Sequence, residues 1–365
     1  MNRAERIAGL SARAYTIPTD RPESDGTIEW HSTTIVVAEV RASDATGIGY
    51  AYGSSGAVAV VHESLKPVVV GADATDLPSI WMAMTRAVRN IGRSGVASAA
   101  ISAVDVALWD LKAKLLDVPL VTLLGRARDS IPAYGSGGFT SYSIDELRAQ
   151  LAAWAGDGIR AVKMKVGREP DRDRDRVAAA RAAIGPSVEL FVDANGAYAA
   201  TQAARMAEAF AEHDVTWFEE PVSSDNLQAL RELRARMPAG MRVAAGEYGY
   251  DAIYFRRMLE ARALDVLQAD ATRCGGVTGF LRAAAVCDSF DLPLSAHTAP
   301  SLHTHLCCAA TRAINVEFFH DHARIEPLFF DGARRAVDGL LTPDLSRPGL
   351  GLELKRADVA RFAAG

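Results

Sequence analysis

The segment "AVKMKVG", residues 161–167, places two lysines two positions apart in an otherwise apolar run. Such a run predicts a buried β-strand, in which side chains at i and i+2 point to the same face. Lys163 and Lys165 would then lie about 6 to 7 Å apart on one side of the sheet. At about 6.5 Å and an effective dielectric of about 20, their charges repel by about 2.5 kcal/mol. Unless one lysine extends along the strand to solvent, the segment marks a functional site.

Seven further segments resemble this strand and alternate with Ala/Arg/Leu-rich helical patterns. They are "IPAYGSG" (131–137), "ELFVDA" (189–194), "VTWFEE" (215–220), "RVAAGE" (242–247), "DVLQAD" (265–270), "PLSAH" (293–297) and "INVEFF" (314–319). Eight strands in βα alternation predict an α/β barrel. Before them, "TTIVVAEVRASDATGIGYAYG" (33–53) and three helical patterns indicate an α+β unit. We therefore expect an α+β domain at 1–128, a barrel at 129–335, and a tail at 336–365 that returns to the first domain.

Composition excludes several classes of protein. The 365 residues are 49% apolar and 23% charged with a net charge of −5, and no basic run with interleaved aromatics suggests nucleic-acid binding. The four cysteines show no CxxC pair and favour reduced thiols. The N-terminus lacks a signal-peptide pattern, and charges interrupt every long apolar stretch. We expect a cytoplasmic protein that acts on a small molecule and binds neither nucleic acid nor membrane.

Ionisable residues occur at or near the C-terminal ends of seven consecutive predicted strands. Lys165, Asp193, Glu219, Glu247, Asp270, His297 and Glu317 follow one another at intervals of 28, 26, 28, 23, 27 and 20 residues. A single acid at such a position is often a helix N-cap or a solvated loop residue. Parallel barrel strands, however, have their C-terminal ends on one rim, where the active sites of these enzymes lie. The whole set therefore predicts an active site at the barrel mouth.

The three acids Asp193, Glu219 and Glu247 end consecutive strands. Neighbouring carboxylates raise one another's pKa unless a cation holds them together. Ligands that are all oxygen favour a hard cation with room for water and substrate, which indicates Mg²⁺ rather than Zn²⁺. In "EEP" the intervals favour Glu219 over Glu220, although a slip of one residue is possible.

His297 ends the strand that follows Asp270. A carboxylate bonded to the imidazole would fix the tautomer and prepare the ring for acid/base catalysis, whereas a lone histidine can equally be a core residue. Two histidine pairs follow, His303 with His305 and His320 with His322. Residues at i and i+2 of a helix do not share a face. We therefore interpret these four histidines as structural or pocket residues. A metal-dependent barrel hydrolase that uses these pairs as ligands is the alternative.

The order "KMK", "DAN", "EEP", "GE", "D" before "GGVTG", and "H" resembles the mandelate racemase subgroup of the enolase superfamily. The segment "ISAVDVALWDLKAKLLDVPLVTLLG" (101–125) resembles its capping domain. The resemblance implies a (β/α)₇β barrel under an α+β cap and Mg²⁺ on the three acids. Lys165 would be the base on one face of the substrate, and His297 with Asp270 the acid/base on the other. It also implies that Glu317, Lys163 and Asn195 contact a carboxylate substrate.

Two further expectations concern the pKa of Lys165 and the polarity of the substrate. Repulsion from Lys163 would lower the pKa of Lys165 from about 10.4 toward about 8 to 9. Lys163 and the metal would together make Lys165 a base near neutral pH and would stabilise an enolate. The lid stretch of the cap, "PTDRPESDGTIEWHST" (18–33), is rich in polar residues. Unless these merely face solvent, they suit a polyhydroxylated substrate better than an aryl one.

We therefore predict a homo-oligomeric enzyme that dehydrates an acid sugar. A racemase or epimerase of a 2-hydroxy acid is the alternative on the same scaffold. A catalytically silent binding protein is less favoured, because every site residue is present.

Overall fold

A computed structural model describes residues 5–364 of the chain. Its N-terminal part contains three strands and a group of helices. They are β1 Ile7–Ser24, β2 Glu29–Ala42, β3 Ala45–Tyr52, α1 Gly56–Val60, a π-helical turn Val61–Leu65, α2 Lys66–Val69, α3 Leu77–Ala87, α4 Val96–Leu115 and α5 Leu120–Leu124. The strands form one antiparallel sheet in the order β1-β2-β3.

Eight strands and eight helices then alternate. They are β4 Ile131–Gly137, α6 Ile144–Gly156, β5 Ala161–Lys165, α7 Pro170–Ile184, β6 Glu189–Asp193, α8 Ala200–Ala211, β7 Val215–Glu219, α9 Leu227–Arg234, β8 Arg242–Ala245, α10 Ala252–Glu260, β9 Val266–Ala269, α11 Gly276–Ser289, β10 Leu294–Ala296, α12 Pro300–Ala309, β11 Ala313–Phe319 and α13 His320–Phe329. Each strand pairs in parallel with the next, and β11 pairs with β4 to close the barrel. The predicted barrel is confirmed.

The C-terminal elements divide their contacts between the two parts. They are β12 Phe330–Asp331, β13 Leu340–Leu341, β14 Glu353–Leu354, α14 Arg356–Val359 and a 3₁₀ turn Ala360–Phe362. Strand β13 pairs antiparallel with barrel strand β4. Farther along, Leu120 N donates to Gly349 O at 2.6 Å, and Ala364 N donates to Ala14 O at 3.0 Å. Along its length the tail therefore contacts first the barrel and then the cap. The domain bounds stay a prediction.

Helix α4 lies between the N-terminal sheet and the barrel. On the sheet side, a Cβ on Gly49 would lie 2.2 Å from Ala103 O, so only glycine permits this close approach. On the barrel side, Asp105 accepts from Thr278 N at 2.9 Å and from Thr278 Oγ1 at 2.7 Å. The helix therefore fixes the cap to the barrel through a buried carboxylate.

Strand β1 was not predicted from the sequence. The sequence predicted two β-rich runs and a lid loop, but residues Ile7–Ser24 form a first strand that pairs with β2. Its register breaks between Pro18 and Glu23, so the lid stretch is the irregular end of a hairpin. We call residues 18–33 the lid hairpin.

The described residues contain no helix that is both long and apolar enough to span a membrane. The four cysteines, Cys274, Cys287, Cys307 and Cys308, are free and buried.

Candidate active site

Strand register brings the predicted site residues together. Lys165 of β5 pairs with Asp193 of β6, which pairs with Glu219 of β7. Because alternate side chains share a face, Phe191 and Trp217 lie one layer below, and their rings stack with centroids 4.9 Å apart. This buried aromatic layer closes the barrel under the charged groups.

Asp193, Glu219 and Glu247 form a compact carboxylate group. Each brings one oxygen to within 4.8 Å of the others, and all three residues are buried. Trp217 Nε1 and Gln268 Nε2 donate to Glu219 Oε2 at 3.1 and 2.9 Å, which orients that carboxylate. The prediction of Glu219 rather than Glu220 agrees with this geometry.

The wider cluster has a surplus of negative charge. Five carboxylates, those of the three acids with Asp270 and Glu317, contact three permanent cations, Lys163, Lys165 and Arg273. With all five carboxylates ionised, and apart from the imidazole of His297, the cluster would carry two negative charges in excess. Burial and the charge of Asp193 raise the pKa of Glu219, so full ionisation requires a bound cation. Hard oxygen donors with this surplus fit one Mg²⁺ ion.

The two lysines bind different carboxylates. Lys163 Nζ lies 2.7 Å from Glu219 Oε1 and 2.8 Å from Glu317 Oε1, whereas Lys165 Nζ lies 2.5 Å from Asp193 Oδ2. Lys163 also lies over the ring of Tyr134, 5.3 Å from its centroid. Both ammonium groups thus point into the cluster, and neither reaches solvent along the strand.

The protein groups alone do not lower the pKa of Lys165. Burial acts to lower the pKa, but the charge of Asp193 outweighs it, so the pKa of Lys165 lies above its ordinary value. The prediction considered repulsion from Lys163 and omitted the carboxylate in direct contact. Lys165 therefore needs the charge of Asp193 neutralised before it can accept a proton.

His297 and Asp270 form the predicted pair. His297 Nδ1 lies 2.8 Å from Asp270 Oδ2, so Nδ1 carries the proton it donates and Nε2 faces the cluster. Nε2 lies 3.4 Å from Glu247 Oε2 and 3.7 Å from Glu317 Oε2. Burial would raise the pKa of Asp270, but the bond with His297 and the charge of Arg273 hold it below its usual range. The carboxylate is ionised and orients the ring.

Sequence analysis missed Arg273. Its Nη1 lies 3.1 Å from Glu247 Oε1 and its Nε 3.6 Å from Asp270 Oδ2. It therefore joins the metal-ligand group to the histidine pair. The available signal was a basic residue three positions after Asp270 in "DATRCGG", which a count of strand-end residues does not include.

Asn195 and Glu317 lie at the edges of the cluster. Asn195 has a φ of 47° and donates its backbone N–H to Asp193 Oδ1 at 2.8 Å, while its side-chain oxygen is buried without a partner among the described residues. Glu317 Oε2 accepts from Thr298 N at 3.1 Å. Contact of either residue with a substrate stays a prediction.

The histidine pairs do not join the three acids. His303 donates from Nδ1 to Thr298 O at 2.7 Å and accepts at Nε2 from Ala271 N at 2.9 Å, so both nitrogens bind backbone atoms. His305 Nδ1 accepts from Val121 N at 3.3 Å. His322 stacks on Tyr52 with ring centroids 3.4 Å apart, and His320 lies beside Asp20. A hydrolase site built on these pairs is not supported.

The chain matches two sequence profiles of known families. The profile "Mandelate racemase / muconate lactonizing enzyme, N-terminal domain" matches residues 15–125, and "Enolase C-terminal domain-like" matches residues 146–359. The chain belongs to the mandelate racemase/muconate lactonizing enzyme family. The resemblance found in the sequence is confirmed.

Three relatives illustrate the range of this family. A mandelate racemase/muconate lactonizing enzyme-like protein from Rubrobacter xylanophilus is 50% identical, with a TM-score of 0.96 over 98% of this chain and 100% of that one. The 3,6-anhydro-alpha-L-galactonate cycloisomerase of Streptomyces coelicolor is 34% identical over 91% of this chain and 92% of its own. L-Talarate dehydratase from Polaromonas sp. JS666, complexed with Mg and L-glucarate, is 32% identical with a TM-score of 0.89, over 99% and 98% of the chains.

Proposed function

We propose that this enzyme removes the proton α to the carboxylate of an acid sugar and then eliminates the oxygen on the β carbon. The observation that carries this proposal is the order of groups around the barrel. Lys165 on β5 lies on one side of the three acids, which are at the ends of β6 and β7 and just after β8, while Asp270 and His297 follow β9 and β10 on the other side. A substrate held over the carboxylates would therefore have a nitrogen group at each side.

The acids Asp193, Glu219 and Glu247 would hold Mg²⁺. When bound, the ion neutralises these carboxylates and stabilises negative charge on the substrate carboxylate. Lys163, fixed by Glu219 and Glu317, adds a second positive charge for the same purpose. Its pKa is raised, because although burial lowers it, the charges of Glu219 and Glu317 prevail, so it stays protonated and serves as an electrostatic group.

Lys165 and His297 would transfer the protons. Neutral Lys165 Nζ takes the α-proton, and the electron pair of the broken C–H bond forms the enolate. That pair then forms the α,β double bond while the β C–O bond breaks. His297 Nε2 gives the departing oxygen a proton, and Asp270 stabilises the ring at Nδ1. The resulting enol becomes a 2-keto acid.

Dehydration and cycloisomerisation share this step. A free β-hydroxyl leaves as water, whereas a β-oxygen that belongs to a ring remains attached and the ring opens. Dehydration is our first assignment. Cycloisomerisation is the second, because the Streptomyces coelicolor relative that covers 91% of this chain bears that name. A racemase would instead need both nitrogen groups to act on the α carbon.

The polar residues of the lid hairpin divide between buried and exposed positions. Glu23, Ser24 and Asp25 are buried, whereas Asp20 and Arg21 are exposed. The buried groups are bonded within the chain: Ser24 Oγ lies 2.6 Å from Thr140 Oγ1, and Asp25 Oδ1 accepts from Thr27 N at 2.6 Å. The expectation that this stretch offers polar groups to the substrate stays a prediction.

Incubation with a panel of aldonic acids, aldaric acids and their lactones or anhydro forms tests the proposal. With Mg²⁺ present, we expect 2-keto acid detectable by semicarbazide and incorporation of solvent deuterium in D₂O. Comparing open-chain with cyclic substrates separates the two assignments. Inversion at the α carbon without any keto acid would overturn both. A cytoplasmic location and a homo-oligomeric state are also proposed, the first in keeping with four free thiols.

A further inference from the structure

A second group of metal-ligand side chains lies where the lid hairpin meets the barrel. Asp20, Glu23 and His320 each bring one ligand atom to within 4.8 Å of the others. Asp20 lies in the part of β1 where pairing with β2 is interrupted, so it is free to point away from the sheet. His320 is the first residue of α13, directly after β11. The group therefore joins the cap to the barrel mouth.

Glu23 has an unsatisfied carboxylate oxygen. The residue is 0% exposed, and its Oε2 accepts from Trp30 Nε1 at 2.8 Å. Oε1 is buried without a hydrogen-bond partner among residues 5–364. A buried acceptor left without a partner costs about 1 to 3 kcal/mol. Burial and the charge of Asp321 raise the pKa of Glu23 to about 8, so its carboxyl group keeps a proton near neutral pH unless a positively charged group contacts Oε1.

The neighbouring cations do not supply that group. Arg324 is engaged with Asp321 and donates to Pro18 O at 2.8 Å. His320 Nε2 lies 3.1 Å from Asp20 Oδ1 rather than on Glu23. The acids Asp20, Glu23 and Asp321 thus outnumber the permanent cation Arg324 here.

An ion can reach Asp20 and His320 from solvent, whereas Glu23 is buried and does not line the same cavity. A surface cavity of about 430 Å³ is lined by Asp20 and His320, with Arg21, Tyr142, Asp145 and Gln150 among its other walls. This cavity opens beside the lid and contains none of the three acids of the magnesium site. The ion would therefore enter without passing through the active site.

We propose that Asp20, Glu23 and His320 form a second divalent-cation site, of the Zn²⁺ type, that ties the lid hairpin to α13. Imidazole nitrogen and carboxylate oxygen are both zinc ligands, and three protein ligands leave a fourth position for water. Tetrahedral ligands about 2.0 to 2.1 Å from zinc lie about 3.3 Å apart. His320 Nε2 and Asp20 Oδ1 already lie 3.1 Å apart, so the distances that must shorten, by about 1.5 Å at most, are those to the buried carboxyl group of Glu23. The exposed Asp20 and the half-buried His320 would both have to move toward it. The all-oxygen magnesium site suits the harder ion.

An ion bound at this position would act on the movement of the lid hairpin. The charged residues of the active site are nearly all buried, and Lys165 and His297 are only 6% and 7% exposed. The lid hairpin lies against the same strand ends: a Cβ on Gly26 would be 2.7 Å from Val166 O and 2.6 Å from Ala194 O, the residues that follow Lys165 and Asp193. Movement of the hairpin would therefore open a path for the substrate. An ion bound to both sides of the contact would favour the closed arrangement and slow exchange of ligands.

Equilibrium dialysis of the full chain against Zn²⁺, with Mg²⁺ in large excess, tests the proposal. We expect one zinc per chain for the wild-type protein, and binding weakened at least about tenfold in His320→Gln and Glu23→Gln. Hydrogen exchange of residues 18–30 should slow with zinc in the wild-type protein and stay unchanged in His320→Gln. Glu23→Gln removes the charge and keeps the shape, and Asp20→Asn repeats the test at an exposed position.

Two controls separate this site from others. Asp145→Asn alters the same cavity outside the ligand group and should bind zinc as the wild-type protein does. Glu219→Gln damages the magnesium site and should leave this zinc binding intact. Zinc binding that is absent, that survives both His320→Gln and Asp20→Asn, or that is lost in Glu219→Gln would overturn the proposal. None of these measurements depends on turnover, so the proposed reaction stands or fails separately.

Discussion

Replacing Glu326 with glutamine tests how the cap is held on the barrel. Glu326 lies in α13 and is 0% exposed. Its Oε1 accepts from Tyr50 Oη at 2.6 Å, and its Oε2 accepts from Ser301 N at 2.9 Å. Burial raises its pKa from 4.5 to about 7, although the bonds from Ser301 and Tyr50 act in the opposite direction. The carboxyl group that joins cap strand β3 to α13 is therefore sensitive to pH.

The sign and size of the effect follow from these two pKa values. Between about pH 4.5 and pH 7 the folded protein keeps a proton that the unfolded chain has lost, so its stability falls as pH rises. A difference of about 2.5 pKa units corresponds to about 3 kcal/mol. Glutamine does not titrate, so this loss is absent in Glu326→Gln. The altered bond to Tyr50 costs about 1 kcal/mol at every pH. The variant should thus be less stable near pH 4 and more stable by about 2 kcal/mol near pH 8.

Urea unfolding followed by circular dichroism, at fixed Mg²⁺ and several pH values, measures this difference directly. Tyr50→Phe is the matched control, since it removes the hydrogen bond but keeps the titrating carboxyl group. Because the bond from Tyr50 lowers the pKa of Glu326, the pH dependence should persist in this variant and extend to somewhat higher pH. If the difference in unfolding free energy between Glu326→Gln and the wild-type protein were the same from about pH 4 to pH 8, the argument from burial would be refuted.

Three further outcomes are expected at the active site. Glu219→Gln should lose Mg²⁺ binding and activity with its circular dichroism unchanged, whereas full activity after exhaustive chelation would contradict a metal requirement. Lys165→Ala and His297→Asn should each stop net turnover, yet one of them should still exchange the α-proton in D₂O by NMR; normal turnover in both would disprove their roles. Arg273→Gln, which leaves Glu247 and the histidine pair without their shared cation, should lower kcat/KM about 10- to 100-fold, and a wild-type value would show that Arg273 is dispensable.

The barrel and its charged cluster were predictable because both depend on local patterns. Each strand is a short apolar run, and a strand end carries one ionisable side chain to the same rim. Register then brought Lys165, Asp193 and Glu219 side by side without any further information. The choice of Glu219 also followed from spacing alone.

What sequence could not supply was the pairing of charges across the site. The pKa of Lys165 depends on a contact of 2.5 Å with Asp193, and a prediction from strand spacing includes only the neighbouring lysine. Arg273 reaches two carboxylates from a loop rather than from a strand end. Strand β1 was missed because its polar end "PTDRPES" lacks the alternation of a strand, and pairing with β2 is interrupted there.

The charge of the cluster determines the order in which its ligands bind. An acid-sugar carboxylate that entered the metal-free site would meet an excess of up to two negative charges, the number depending on whether Glu219, whose pKa is raised by burial and by Asp193, is ionised. At about 4 Å and a dielectric of about 20 each such charge costs about 4 kcal/mol before screening. Lys163 cannot offset this, because it already binds Glu219 and Glu317. The carboxylate surplus therefore requires Mg²⁺ to be in place before the substrate arrives. The dissociation constant of a substrate analogue, measured by calorimetry, should fall steeply as Mg²⁺ is added. An analogue that bound equally well to the chelated enzyme would show that the carboxylates are neutralised in some other way, and the assignment of Lys165 as a base would then need a different source of neutralisation for Asp193.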